Sequence, residues 1–181
     1  MLEKRVWFHI ILSTYGCWLP GDPRGFRTRH HREHVEGDYK HPPPEGLYDQ
    51  RHQHSRKLLT QPPTIIPAAL RPVIGGAVRE RFEQKTGRVL SISCGGQHVH
   101  VQVQLPDGDA RHTAGLAKRH ATFVAHANGF EGKLWALRPK IVRIKSRTHH
   151  GNVYRYILDH VNEGAWVWSE PKSQEASEAQ G

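Results

Sequence analysis

A chain of 181 residues with 36% hydrophobic content and a formal charge of +9 has room for one domain with a sizeable core, and part of its length stays outside that core. Two cysteines, Cys17 and Cys94, exclude a disulfide framework and suit a reducing compartment such as the cytoplasm. No apolar run reaches membrane-spanning length, the first residues lack the apolar centre of a signal peptide, and the basic balance favours polyanionic partners.

Val6 to Ser13 is a bulky run of β character, ended by the turn chemistry of Gly16, Pro20, Gly21 and Pro23. From Arg24 to Pro63 the chain is basic, rich in histidine and proline, and has neither the helical nor the strand period; six of the 15 histidines fall between His30 and His54. It reads as a long, loosely ordered surface insertion, a solvated loop by default, with adventitious metal binding or a basic DNA-contacting arm as alternatives. Leu70, Val73, Ile74, Ala77, Val78 and Phe82 then recur at spacings of three and four, which predicts a helix from about Pro67 that stops at Gly87.

Two strands follow, Arg88 to Cys94 and Gln97 to Leu105. Gly95-Gly96 between them is a hairpin signal, because both positions tolerate positive φ. Pro106-Asp107-Gly108 breaks the second strand. A helix over roughly Ala110 to Ala127 is expected to bury Leu116, Ala117, Phe123 and Val124 and to close at Asn128-Gly129. A short strand around Ile141 to Ile144 and a last helix from about Val153 to Asn162, with Asn152 as N-cap, complete the domain. The polar tail, Ser169 to Gly181, is expected to be disordered.

Without the insertion and the last helix, the order is β-α-β-β-α-β, the ferredoxin-like α+β arrangement. The expectation is a single domain over residues 1–168 with an insertion at about 24–63. It would contain an antiparallel sheet with two helices on one face, an open opposite face, and a C-terminal helix carrying a tyrosine.

The strand through residue 105 alternates without a break. Val99, Val101, Val103 and Leu105 point to the core, so His98, His100, Gln102 and Gln104 share the other face. The two imidazoles are then about 7 Å apart at Cα, close enough to converge on one metal ion. In a chain with 15 histidines, a polar outer face that includes two of them is the weightier explanation on spacing alone. On the last helix Val153, Tyr154, Ile157, Leu158 and Val161 form the expected buried arc, whereas Tyr156 and His160, four residues apart, share a flank beside it. A phenol next to a metal-binding group is a plausible reaction centre, and an edge tyrosine on a packed helix is the plain alternative.

His98-Val99-His100 resembles the His-hydrophobic-His motif of the HUH nucleases, and Tyr156 on a late helix resembles the nucleophile of their single-tyrosine transposases. These are the insertion-sequence-200-like enzymes and the REP-associated tyrosine transposases. Tyr156-Ile157-Leu158-Asp159-His160-Val161-Asn162 is similar to the family's Tyr-Ile-x-x-Asn-Pro pattern. His160 stands where the family often has Gln or Asn as third metal ligand. The stretch from Ser13 to Gly25 also looks like one branch of these transposases. The resemblance covers the first strand and about Ile65 to Trp168.

The resemblance implies a ferredoxin-like fold and a divalent ion, magnesium or manganese, held by His98, His100 and His160. It implies Tyr156 as nucleophile, single-stranded DNA with a hairpin as substrate, a 5′-phosphotyrosine intermediate and a homodimer. In some family members the tyrosine helix serves the partner's site. Lys118, Arg119, Arg143, Lys145 and Arg147 are the first candidates for phosphate contacts, with Arg79, Arg81, Arg138 and Lys140 beside them. Trp7, Trp135, Trp166 and Trp168 are candidates for base stacking. A replication initiator or relaxase would use the same chemistry. A non-catalytic binder of RNA or single-stranded DNA is the reading from another class; it needs exposed aromatics on the sheet, where this chain has histidine and glutamine.

Overall fold

The structure is a computed structural model that describes residues 4–26, 35–37, 40–85 and 87–171. Five strands form one antiparallel sheet: β1 (Arg5–Ser13), β2 (Arg88–Cys94), β3 (His98–Pro106), β4 (Lys140–Arg143) and β5 (Trp166–Ser169). Their spatial order is β4-β1-β3-β2-β5. The first four strands stand in the ferredoxin-like order, so the fold class read from the sequence holds. β5 extends the sheet beyond β2. It lies where the sequence shows only Trp166-Val167-Trp168 before a polar tail, and it carries the ordered chain past the expected boundary at Ser169. Residues 172–181 lie outside the described residues.

The helices α1 (Asp49–Lys57), α2 (Arg71–Gln84), α3 (Ala110–Ala127) and α4 (Arg147–Asp159) divide between the two sheet faces. α2 and α3 pack together on one face. Under them, Val6, Phe8, Ile10 and Leu12 of β1 and Val99, Val101, Val103 and Leu105 of β3 meet Ile74, Ala77, Val78 and Phe82 of α2 in a closed core. α3 contributes an alanine stripe, Ala110, Ala114, Ala117, Ala121 and Ala125. This corrects the expected buried set: Phe123 is 73% exposed, and Leu116 and Val124 are only half-buried. Small side chains let the helix lie close to its neighbours, and the bulky ones fall on its flanks and outer side.

The opposite face is not open. α4 lies across β2 and β3. The tie is chemical as well as steric: Gln102, fully buried, donates from Nε2 to the His150 carbonyl at 3.1 Å and accepts from Ser91 Oγ. A buried amide without partners would cost about 1–3 kcal/mol, so α4 completes β3. Gln102 is thus neither solvated nor available to a DNA backbone.

Three further details differ from expectation. α4 begins six residues before Val153, because Ser146, in extended conformation, accepts from the His149 N–H at 3.1 Å and caps the helix; Asn152 lies inside it and accepts from Arg155. The hairpin between β2 and β3 forms, but neither Gly95 nor Gly96 has positive φ. Its loop is instead held by neighbours, the Gly96 carbonyl accepting from Ile66 N–H and the Gln97 carbonyl from Thr14 N–H. Finally, segment 24–63, expected without regular structure, contains α1. That helix buries no residue, which is why no apolar period announces it. Among the described residues no helix is long and apolar enough to cross a membrane.

Candidate functional site

Strand alternation and helix phase bring five aromatic side chains, from the sheet, α4 and the turn that ends it, to one place. β1 and β3 pair so that His9 stands opposite Gln102 and Ile11 opposite His100, which puts His9, His98 and His100 on the face that α4 covers. α4 then delivers Tyr156 and, at its last turn, His160. Beyond Asp159 the chain tightens into a 3-10 turn, His160–Glu163. With the tighter winding His160 turns inward and is buried, whereas Val161, expected on the buried arc, is 58% exposed. Val153 and Ile157 are the buried apolar anchors of α4. Tyr154, expected in the core, instead lines a cavity of about 530 Å³ with Arg88, Leu90, His150 and Glu170.

His98, His100 and His160 each offer a ring nitrogen, and these atoms lie within 4.8 Å of one another. The grouping forms within one chain. The rings are packed edge to face or tilted, with centroids 4.6 Å apart for His98 and His100, 4.6 Å for His100 and His160, and 5.9 Å for His98 and His160. Tyr156, half exposed, stands with its ring 4.6 Å from His160 and 5.3 Å from His100.

The chemistry of these nitrogens fits a metal. His160 Nδ1–H donates to the Tyr156 carbonyl at 2.7 Å, which leaves Nε2 as its lone-pair nitrogen. His100 Nδ1 is 3.0 Å from His9 Nε2, and its own Nε2 is buried with no hydrogen-bond partner among the described residues. Buried polar atoms are almost always satisfied, so an orphan nitrogen beside two other imidazoles marks a place for a ligand atom to bind. Burial lowers the His100 imidazole to about 2, with the His98, His9, His160 and Lys140 charges adding. Burial lowers His9 to about 4, helped by Lys140, His149 and His160. His98 is lowered as well, by burial and then by His160, while Glu163 opposes. These three rings are therefore neutral near pH 7, the state a metal ligand needs.

The basic candidates do not gather at the cluster as a group. Lys118 and Arg119 lie on α3, behind the sheet, and the Lys118 ammonium donates to the Ala136 and Leu137 carbonyls. Arg79 and Arg81 are on α2, also behind the sheet. Arg143 pairs across the strands with Phe8, so it shares the core side, where it forms an ion pair with Asp107 at 3.2 Å. Lys140 pairs with Ile11 on the histidine side, and Lys145 and Arg147 are exposed just before and at the start of α4. The four tryptophans named from the sequence are all partly buried. Trp7 packs on His150, Trp135 Nε1 donates to the Lys118 carbonyl, Trp166 sits against Gly75, and Trp168 lies under Arg79.

Two features of the site were missed. His9 sits in a strand whose outward positions, Trp7 and Ile11, look as apolar as its inward ones, so alternation gives no hint of it. Arg24 is the other. Its guanidinium is fixed by the buried Asp22 carboxylate through Nε at 2.9 Å and Nη2 at 2.7 Å, donates also to the Cys17 carbonyl, and stacks 4.3 Å over the exposed Trp18 ring. The His98 imidazole feels its charge. The turn-rich stretch after β1 was legible as a turn, not as a support for a cation beside the cluster.

The sequence matches no protein-family model and no curated protein. Among solved structures, that of a REP-associated tyrosine transposase bound to a REP hairpin aligns with 91% of this chain and 72% of its own, at 12% identity and a TM-score of 0.46.

Proposed function

We propose that this chain is a metal-dependent transposase that cleaves and rejoins single-stranded DNA, with Tyr156 as nucleophile. One observation carries the reading: a half-exposed phenol packed against His100 and His160 of a three-histidine group whose ligand atoms lie within 4.8 Å of one another. His98, His100 and His160 would hold a divalent ion, magnesium or manganese, which when bound polarises and neutralises a phosphate.

The residues of the chain supply the rest. The Tyr156 oxygen attacks phosphorus and forms the phosphotyrosine bond. The bond from phosphorus to the 3′ oxygen breaks, and that oxygen takes up the proton the phenol loses, leaving a 3′ hydroxyl and a 5′-phosphotyrosine. Because the new ester keeps the phosphodiester energy, the reverse attack by a 3′ hydroxyl rejoins strands without ATP. The hydrogen bond from the His160 ring Nδ1–H to the Tyr156 carbonyl fixes the relative position of nucleophile and ligand across one helical turn. Arg24, Lys140, Lys145 and Arg147 supply positive charge on the cluster's side of the sheet. The substrate would be a single strand with a hairpin, and the working form a homodimer.

Sheet-face binding of RNA or single-stranded DNA is disfavoured by α4, which occupies the surface where bases would stack. A replication initiator or relaxase shares the cleavage step and differs in what is rejoined.

The test is a single-stranded oligonucleotide with a hairpin, labelled 3′ of the expected cut, incubated with protein and manganese and run on a denaturing gel. A protein-linked label is expected from the wild type and from Tyr154→Phe, and none from Tyr156→Phe, whose affinity for the uncut strand should stay within about threefold. An adduct formed by Tyr156→Phe at wild-type level would refute the assignment.

A further inference from the structure

His9 has no part in the proposed reaction, yet it is placed as if it had. It is a buried polar residue in the middle of β1, where valine or isoleucine would satisfy both the strand and the packing at lower desolvation cost. Its Nε2 lies 3.0 Å from His100 Nδ1, with the rings tilted at 31° and centroids 5.2 Å apart. Two neutral imidazoles at that distance share one proton, so one ring donates and the other accepts.

Two tautomer pairs satisfy the contact. If His9 donates, His100 must carry its own proton on Nε2, where a buried N–H has no acceptor among the described residues. If His100 donates from Nδ1–H, its Nε2 holds a lone pair in the same unpartnered place, beside His98 and His160. The first arrangement strands a donor and blocks a ligand; the second presents one.

We infer that His9 is a positioning residue: it accepts from His100 Nδ1–H and so holds His100 in the tautomer whose Nε2 is free to bind a metal ion. The inference rests on the three-histidine metal reading above. His160 receives the same treatment from a different group, the Tyr156 carbonyl. Two of the three candidate ligands thus have their non-ligating nitrogen engaged by the chain, one through a side chain on β1 and one through the backbone of α4.

The experiment has two arms. In metal-free protein kept in chelator, long-range 1H–15N spectra of the imidazoles report which nitrogen of His100 is protonated. The wild type is expected to show Nδ1–H, and a His100 protonated on Nε2 would overturn the inference without any variant. In the second arm, manganese and cobalt are titrated calorimetrically into wild type, His9→Phe and His9→Gln. Phenylalanine keeps the ring volume and removes the acceptor, so affinity should fall about 10- to 100-fold. Glutamine can place its carbonyl oxygen near the lost Nε2, and should bind within about fivefold of the wild type. Equal affinity in wild type and His9→Phe would make His9 a packing residue only. If His9→Phe does not fold, a fall of more than tenfold in a folded His9→Gln would overturn the inference as well. A wild type that binds neither ion would refute the metal reading itself, and the tautomer spectra still decide the His9 contact.

Discussion

Acidification provides a direct stability test of the buried histidine pair. In the unfolded chain His9 and His100 titrate near 6.5; in the folded chain burial holds them at about 4 and about 2. The folded values are depressed, so the unfolded state binds more protons between pH 6.5 and the folded values, and stability must fall as pH falls through that window. Above pH 6.5 neither state is protonated and the penalty vanishes. At pH 5 both folded rings remain neutral, so the penalty follows from the distance to 6.5 alone, about 2 kcal/mol for each histidine and about 4 kcal/mol for the pair. Against a typical total of about 5–15 kcal/mol, that is a large fraction. Urea unfolding at pH 7, 6 and 5 in chelator should show it, the pair adding up to two protons, about 3 kcal/mol per pH unit, to the slope below pH 6, with the likewise lowered His98 and His150 adding to it. His9→Phe should remove close to half of the pair's share of that slope. A stability that stays flat from pH 7 to pH 5 would show that these rings are not held neutral in the folded chain.

Further tests address the ligands, the DNA and the packing. Cleavage should require a divalent ion and stop in chelator; His160→Gln should retain activity and move the preference from manganese towards magnesium, and His98→Ala or His100→Ala should abolish it, all read from adduct yield across a metal series. If Arg24, Lys140, Lys145 and Arg147 each neutralise one phosphate, the logarithm of affinity for a single strand should fall against the logarithm of salt with a slope of about −3, and a slope near zero would exclude them. Gly75→Ala should cost about 1–3 kcal/mol in a urea melt, because a Cβ there would lie 2.5 Å from two carbons of the Trp166 ring. Gly76→Ala, one residue along α2 with nothing within 4 Å of its Cβ, should instead stabilise by up to about 1 kcal/mol; a loss at both positions would mean that helix backbone, not contact with Trp166, sets the outcome.

Alternation along β3 is enough to place His98 and His100 on one face, because Val99, Val101, Val103 and Leu105, apolar at every second position, define the core side. The β-α-β-β-α-β order followed from elements whose periods are long and whose boundaries carry glycine or proline. Helical phase put Tyr156 beside His160, but it could not show that α4 covers the sheet. That depends on Gln102 reaching the His150 carbonyl, a contact between residues 48 apart. The same limit hid His9, whose partner is on another strand, and Arg24, whose position is set by Asp22 and Trp18. β5 was missed because its tryptophans pack against α2, a relation that no local pattern encodes. Phe123 shows the opposite limit: its size and spacing point to the core, and alanines occupy that place instead.

β1 is interior to the sheet, between β4 and β3, and early in sequence. Its two neighbours are β3, where Ser13 meets His98, and β4, where Phe8 meets Arg143. During synthesis, therefore, the apolar run of β1, complete at Ser13, must wait for nearly half of the chain before its first strand partner begins at His98, and longer for the second. At about 5–20 residues per second that delay lasts several seconds, and an unpaired apolar strand is an aggregation hazard throughout it. The intervening basic, histidine-rich segment lengthens the wait but raises loop-closure entropy only slowly, by about 0.6 kcal/mol per doubling of loop length. Assembly on the ribosome is thus expected to be late and stepwise, with α2, the β2–β3 hairpin and α3 collecting first and β1 inserted into a sheet that is already partly built.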